Sequence, residues 1–278
     1  MRPTRSILYL PASNSRAIVK ARTLACDGVI LDLEDAVAPD AKPLARAAAL
    51  EAVAQGGFGS KMVAIRVNSL TTPWGPDDFE GVSGANVDFI VVPKIDTQSE
   101  AEAAVAAAKG KPIWAMIESA RAVINVNAIA ATPGVSGLLA GTADLAKDLQ
   151  AGVDLDRSSF LFSLSAMLIA ARAHGLLAID GIHADIQDLD ALAYTSRQGA
   201  LLGFDGRSIV HPSHIDIANQ AYSPSPEAVE EARGLIAAHD AAAREGKGVT
   251  TYKGRLVEVL HVQQARDLIA IAQTLSQR

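Results

Sequence analysis

The sequence predicts an α/β fold, a (β/α)8 barrel of the TIM type followed by a C-terminal helical extension. Three observations predict it. Short β-rich apolar runs recur eight times between residues 6 and 210. Most are continuous rather than alternating, the pattern of strands covered on both faces of a parallel sheet. Alanine-rich, helix-like stretches lie between them and supply the crossovers that parallel strands need.

In chain order, the expected strands are residues 6–10, 28–33, 62–67, 87–92, 113–118, 135–140 and 176–180, with a short one near 208–210. The expected helices are 16–25, 44–54, 99–108, 121–130, 160–173 and 186–198, each rich in alanine or carrying apolar residues at helical spacing. A doubly wound sheet is the runner-up. Pro11-Ala12-Ser13-Asn14-Ser15 after the first strand lacks the G-x-G-x-x-G fingerprint, which argues against a dinucleotide site. The character changes after His211-Pro212, and Pro224-Ser225-Pro226 reads as a break. The barrel is therefore assigned to residues 1–225 and the extension to 226–278. Within the extension, 227–245 reads as a helix ended by Gly246-Lys247-Gly248, and 249–257 as a hairpin turning at Lys253-Gly254. Residues 261–276 read as a last helix. The extension is expected to pack on a neighbouring subunit, with its own barrel as the alternative.

The 278 residues suit one large barrel domain, and 49% apolar against 20% charged residues is ample for its core. A net charge of −6 and a pI of about 5.5 argue against general nucleic-acid binding. The lone Cys26 cannot form an internal disulfide and suits a small buried apolar position. The apolar run 7–10, closed by Pro11, is too short for a signal or a membrane span, and no run of eighteen apolar residues occurs. A soluble, cytoplasmic protein is expected.

Active sites of such barrels lie at the C-terminal ends of the strands. Reading those ends gives Asp32-Leu33-Glu34-Asp35, Arg66-Val67-Asn68, Pro93-Lys94, Glu118-Ser119, Gly141-Thr142-Ala143-Asp144 and Asp180. All are expected at one rim. Glu118 and Asp144 follow neighbouring strands, and two carboxylates there suit Mg²⁺, with Mn²⁺ as an alternative. Arg66 offers a planar fork for a substrate carboxylate, or a structural ion pair with Asp32 or Glu34. The Gly141-Thr142-Ala143 turn offers backbone N–H groups to an anion. No H-x-x-x-H or Cys/His cluster supports zinc, and neither a G-x-S-x-G elbow nor a P-loop is present.

These residues together resemble the citrate lyase β-subunit-like proteins of the HpcH/HpaI aldolase superfamily, the relatives of malyl-CoA and citramalyl-CoA lyases. The resemblance rests on Arg5-Ser6, Leu8-Tyr9 and Pro11, then on Asp32 to Val37 with Lys42 and Ala45-Arg46. Arg66-Val67-Asn68, Pro93-Lys94, Glu118-Ser119 and Gly203-Phe204 with Gly206-Arg207, leading to His211-Pro212, extend it over nearly the whole chain. It implies Mg²⁺ on Glu118 and Asp144, Arg66 on the carboxylate of a 2-oxo or 2-hydroxy acid, and Thr142 and Ala143 beside that substrate. It implies an acyl-CoA partner near Tyr9, Arg16 and Lys20, with Asp32, Glu34 and Asp35 holding metal-bound waters. The activity implied is carbon–carbon cleavage into a 2-oxo acid and an acyl-CoA. A CoA-independent aldolase, a β-subunit within a larger citrate lyase complex and a non-catalytic binding barrel stay open as alternatives. The lyases carry an aspartate near the C-terminus that enters a neighbouring subunit's site in a trimer. Here the matching stretch is Gly254-Arg255-Leu256-Val257-Glu258, so Glu258 is the expected acid or base, one methylene longer.

Overall fold

Eight apolar runs pair edge to edge in chain order, and the last pairs with the first. The computed structural model describes residues 2–276 other than 245 and 247. The strands are β1 (Ser6–Pro11), β2 (Gly28–Asp32), β3 (Met62–Arg66), β4 (Phe89–Val92), β5 (Ile113–Ile117), β6 (Val135–Ala140), β7 (Leu177–Asp180) and β8 (Gly206–Ile209). All pairs are parallel, and β1 hydrogen-bonds to both β2 and β8, which closes the barrel. The fold is the expected α/β barrel. Helices α1 (Ser15–Ala21), α2 (Lys42–Gln55), α3 (Gly75–Ser83), α4 (Gln98–Ala107), α5 (Ala120–Ala130), α6 (Thr142–Asp148), α7 (Leu161–Ala173), α8 (Leu189–Leu202) and α9 (Ile215–Ala221) lie between or after them.

Strand alternation sorts the side chains into two cores. Ile7, Ile30, Met62, Ala64, Phe89, Trp114, Met116, Leu139 and Ile179 fill the barrel interior, where the Phe89 and Trp114 rings stack at 3.7 Å. Outward residues such as Leu8, Val29, Leu31, Ile65, Ile90 and Leu138 pack beneath the helices. The same alternation carries Ile30 to Asp32, Ala64 to Arg66 and Met116 to Glu118. Three charged side chains are thereby lifted above an apolar floor.

Several boundaries move for local reasons. Helix α8 begins at Leu189, not at residue 186, because the Asp188 side chain accepts from the Ala191 N–H at 3.0 Å and caps it there. It runs on to a left-handed Gly203 with φ 110°. Strand β8 starts at Gly206, two residues before the expected position. Helices α3, α6 and α9 lie outside the helical stretches named from the sequence. The Gly75-Pro76-Asp77-Asp78 opening of α3 carries turn chemistry, and α6 and α9 are seven residues each.

The chain divides into two compact units, the first being Arg2–Tyr222. The second, from Ser223 on, holds α10 (Pro226–Arg244), a hairpin of β9 (Thr250–Tyr252) and β10 (Arg255–Val257), and α11 (Val259–Ser276). The hairpin turns at Lys253 and Gly254, both left-handed at φ 48° and 77°. Helix α10 packs on α11 and on β9. No helix of the described residues is long and apolar enough to cross a membrane.

Candidate active site

Glu118 follows β5 directly and is 3% exposed. The Lys94 backbone N–H donates to its Oε1 at 2.7 Å, and its Oε2 is buried with no hydrogen-bond partner. Lys94 reaches this geometry in the left-handed region, φ 56°, a conformation that costs a lysine on the order of 1 kcal/mol or more. Asp144 sits in the first turn of α6. The Lys94 ammonium lies 3.4 Å from Glu118 and 2.9 Å from Asp144, so one cation bridges both carboxylates. Gly141 makes the approach feasible. A Cβ there would meet Glu118 Cβ at 2.4 Å and Oε2 at 2.8 Å.

The Arg66 guanidinium is the second charged centre. Its Nε and Nη2 donate to the two Asp32 oxygens at 2.6 and 2.7 Å, a two-point pair between register neighbours on β2 and β3. Its Nη1 lies 2.7 Å from Glu34 and 3.6 Å from Asp35. The Tyr9 ring stacks under the cation at 5.0 Å. Beneath this rim, the buried Lys42 ammonium donates to the Leu33 and Glu34 carbonyls and to Asn68 Oδ1, which fixes the loop after β2.

Burial sets the electrostatics. Desolvation pushes the Glu34 carboxyl up to about 7 against the pull of Arg66. Glu118 is likewise raised by desolvation, opposed by Lys94. Desolvation pulls Lys94 down, but Glu118 and Asp144 outweigh it and hold the ammonium above its usual range. Tyr9 is raised by burial.

One cavity of about 380 Å³ brings these groups together. Tyr9, Asp32, Asp35, Arg66, Glu118, Thr142, Ala143 and Asp144 all line it. Glu34 joins through its ion pair with Arg66. Arg16 and Lys20 do not line it, since both lie exposed on α1. Asp180 departs from the expected rim. It points out of the barrel wall, fully buried, and both its oxygens accept from Arg157 Nη1 at 2.8 Å. Asn68 is also buried away from the cavity, bonded to Leu33 and Asp78. Sequence reasoning placed Lys94 at a strand end but assigned it no role, because nothing local indicates a left-handed backbone. Glu258 precedes α11 in the second unit, where it is exposed and its backbone N–H donates to His261 Nδ1 at 3.0 Å.

The donor set fits a hard divalent cation. Two convergent carboxylates, one with an orphaned buried oxygen, already hold a positive charge between them. Among the described residues no third His, Cys, Asp or Glu completes a cage. That suits Mg²⁺, which keeps several positions for water and substrate.

Residues 5–212 match the model of the HpcH/HpaI aldolase/citrate lyase family. The chain belongs to this family. Two full-length HpcH/HpaI relatives come from Cereibacter sphaeroides. A (3S)-malyl-CoA thioesterase is 41% identical over 274 residues, covering 99% of this chain and 96% of the relative. An L-malyl-CoA/β-methylmalyl-CoA lyase is 34% identical over 306 aligned positions, with the same coverage. Among solved structures, CitE from Mycobacterium tuberculosis in complex with magnesium, acetoacetate and coenzyme A superposes with a TM-score of 0.82 at 29% identity. It covers 96% of this chain and 97% of CitE. This HpcH/HpaI chain therefore falls among CoA-related lyases and thioesterases.

Proposed function

We propose that the chain is a Mg²⁺-dependent carbon–carbon lyase that cleaves a 3-hydroxyacyl-CoA-type substrate into a 2-oxo acid and an acyl-CoA. One observation carries this reading. A carboxylate pair bridged by a cation and a guanidinium locked by Asp32 face one cavity of about 380 Å³. Glu118 and Asp144 would hold the metal for the hydroxyl or carbonyl oxygen of a 2-hydroxy or 2-oxo acid, and Arg66 on the same cavity suits its carboxylate.

When bound, Mg²⁺ supplies Lewis-acid polarisation of the hydroxyl and of the carbonyl it becomes. Glu118 and Asp144 hold it. Arg66 turns Nη1 to the substrate carboxylate, and Asp32 keeps the fork from rotating. Thr142 and Ala143 form the wall beside that acid. The bond between the hydroxyl-bearing carbon and the carbon α to the thioester breaks. Its electron pair passes to the α-carbon, the hydroxyl loses a proton, and a proton is delivered to the α-carbon. The cavity is too small for CoA, whose phosphates extend outward to Arg16 and Lys20. Glu258 of a neighbouring copy carries the proton. Its turn is flanked by Leu256, Val259 and Leu260, all more than half exposed, which supports a second surface there, and a trimer would supply it. Residues 226–278 are then the extension that meets the next barrel.

The 41% identical thioesterase favours a second reading, hydrolysis. Water would attack the thioester carbonyl of the same bound substrate, the C–S bond would break, and CoA would leave as the thiol. Product analysis with malyl-CoA separates the two. Cleavage yields a 2-oxo acid and an acyl-CoA with no free thiol, whereas hydrolysis yields free thiol and the hydroxy diacid. Either activity should disappear in EDTA and in Glu118→Ala and Asp144→Ala, with Mg²⁺ binding lost by calorimetry and circular dichroism unchanged. Native Mg²⁺ affinity in the double variant would place the metal elsewhere.

A further inference from the structure

Arg207 on β8 is a buried cation without an anion. It is 2% exposed and points out of the barrel wall toward α8, where its Nη1 donates to Thr195 Oγ1 at 2.9 Å and Ser196 Oγ at 3.1 Å. Both partners are neutral hydroxyls, and its Nε has no partner. Among the described residues no carboxylate lies within 4.0 Å of it. The nearby carboxylate, Asp180, is already engaged. It accepts twice from Arg157 Nη1, once from the Gly181 N–H at 2.8 Å, and from the Tyr222 hydroxyl at 3.4 Å. Two guanidiniums and one carboxylate leave this cluster with a net positive charge. An uncompensated buried charge is unfavourable, so an anion is the natural completion.

The cluster opens on a cavity of about 400 Å³ that adjoins the metal pocket and shares Thr142, Ala143 and Ile182 with it. Arg157 and Arg207 line one side, and Val153, Leu155 and Phe160 line another. His183 also lines it, with Nε2 buried and unpartnered. Arg157 is itself held in the left-handed region at φ 52°, a strain kept where a site demands it. Three exposed aspartates border the mouth, but their carboxylates serve their own loops. Asp154 accepts from Ser158, Asp185 from the Gln187 N–H, and Asp188 caps α8. Desolvation, and then the Arg207 charge, lower the His183 pKa, against the pull of Asp188 and Asp185 and of the Asp188 backbone.

We propose that this cavity is a second ligand site, for a small molecule that joins a carboxylate or phosphate oxyanion to a short apolar body. Arg207 anchors the oxyanion, with the His183 ring beside it, while Val153, Leu155 and Phe160 cover the apolar part. This proposal does not depend on which bond the metal pocket cleaves.

Metal-free protein in EDTA is titrated with sodium butyrate and with ethyl phosphate against sodium chloride at matched ionic strength. Unfolding temperature and heat of binding are read. A saturable rise with butyrate assigns the site to carboxylates, and one with ethyl phosphate assigns it to phosphates. Ala191→Phe fills the cavity from α8 without touching Arg207, and should weaken binding about tenfold or more. Arg207→Gln should do the same, and Ala191→Phe decides if that variant fails to fold. Glu118→Gln should bind the probe as the wild type does. No saturable response to either probe, an unchanged response in Ala191→Phe, or a response lost in Glu118→Gln would overturn the proposal.

Discussion

Arg66 has one fork and two claims on it. Asp32 occupies the Nε–Nη2 edge, so only the Nη1 side is left for a substrate carboxylate, and Glu34 stands there at 2.7 Å. Arg66→Lys keeps the charge but cannot serve both edges. Calorimetric affinity for a 2-oxo acid in the presence of Mg²⁺ should fall by at least ~1 kcal/mol, the scale of a charged hydrogen bond. Unchanged affinity would leave Arg66 a purely structural ion-pair partner. Glu34 also contributes a pH signature. Its pKa is raised from 4.5 to about 7 by desolvation, so the folded state holds its proton more tightly than the unfolded chain. Stability of the metal-free protein should therefore decline as pH rises from 4.5 to about 7, and the loss should be complete above that. Glu34→Gln should be more stable than wild type at pH 8 by about 1–3 kcal/mol, with the gap closing toward pH 5. Denaturant melts at the two pH values measure this, and a constant gap would refute it.

At the scale of elements, the strand-to-helix turns place the charged side chains around one cavity. The turn from β6 to α6 brings Asp144 to Glu118 only because Gly141 lacks a side chain. Its φ of −95° strains no residue, so Gly141→Ala acts through contact alone. A methyl 2.4 Å from Glu118 Cβ must displace that carboxylate. Mg²⁺ affinity should drop at least tenfold while the unfolding temperature moves little, and native affinity would show that the turn can yield. The eight strands were legible because barrel walls are buried on both faces, which writes continuous apolar runs into the chain. The gathering of the charged ends of five of them at one rim was legible for the same reason, since a charge that closes an apolar run must sit at an edge. What was not legible depends on direction rather than composition. Asp180 looks like Glu118 in sequence, yet strand alternation aims one outward at Arg157 and the other inward. The left-handed backbone at Lys94 and the pairing of Arg157 with Asp180 join residues that no local pattern connects.

At the scale of the whole molecule, the second unit raises the question of what its surface meets. Its hairpin and α11 expose Leu256, Val259 and Leu260 around Glu258, and α11 buries only Val262 and Ala265. Apolar side chains clustered beside a single carboxylate suit an interface better than solvent. If that interface is the mouth of another copy's barrel, each active site draws Glu118 from one chain and Glu258 from the next. Mixing tests this directly. Glu118→Ala chains and Glu258→Ala chains, each inactive alone, are combined under conditions that exchange subunits. In a closed ring, some sites then receive an intact metal ligand from one variant and an intact Glu258 from the other, and activity partly returns. Exchange itself is followed with a size tag on one variant, so a negative result is interpretable. Proven exchange without recovery would mean that Glu258 serves its own barrel or takes no part in turnover. Glu258→Asp adds a second arm, because it shortens the side chain by one methylene and keeps the carboxylate. A rate change of ten-fold or more in either direction is the scale expected when a proton carrier moves by about 1 Å. A purely structural Glu258 would leave the rate of that variant unchanged.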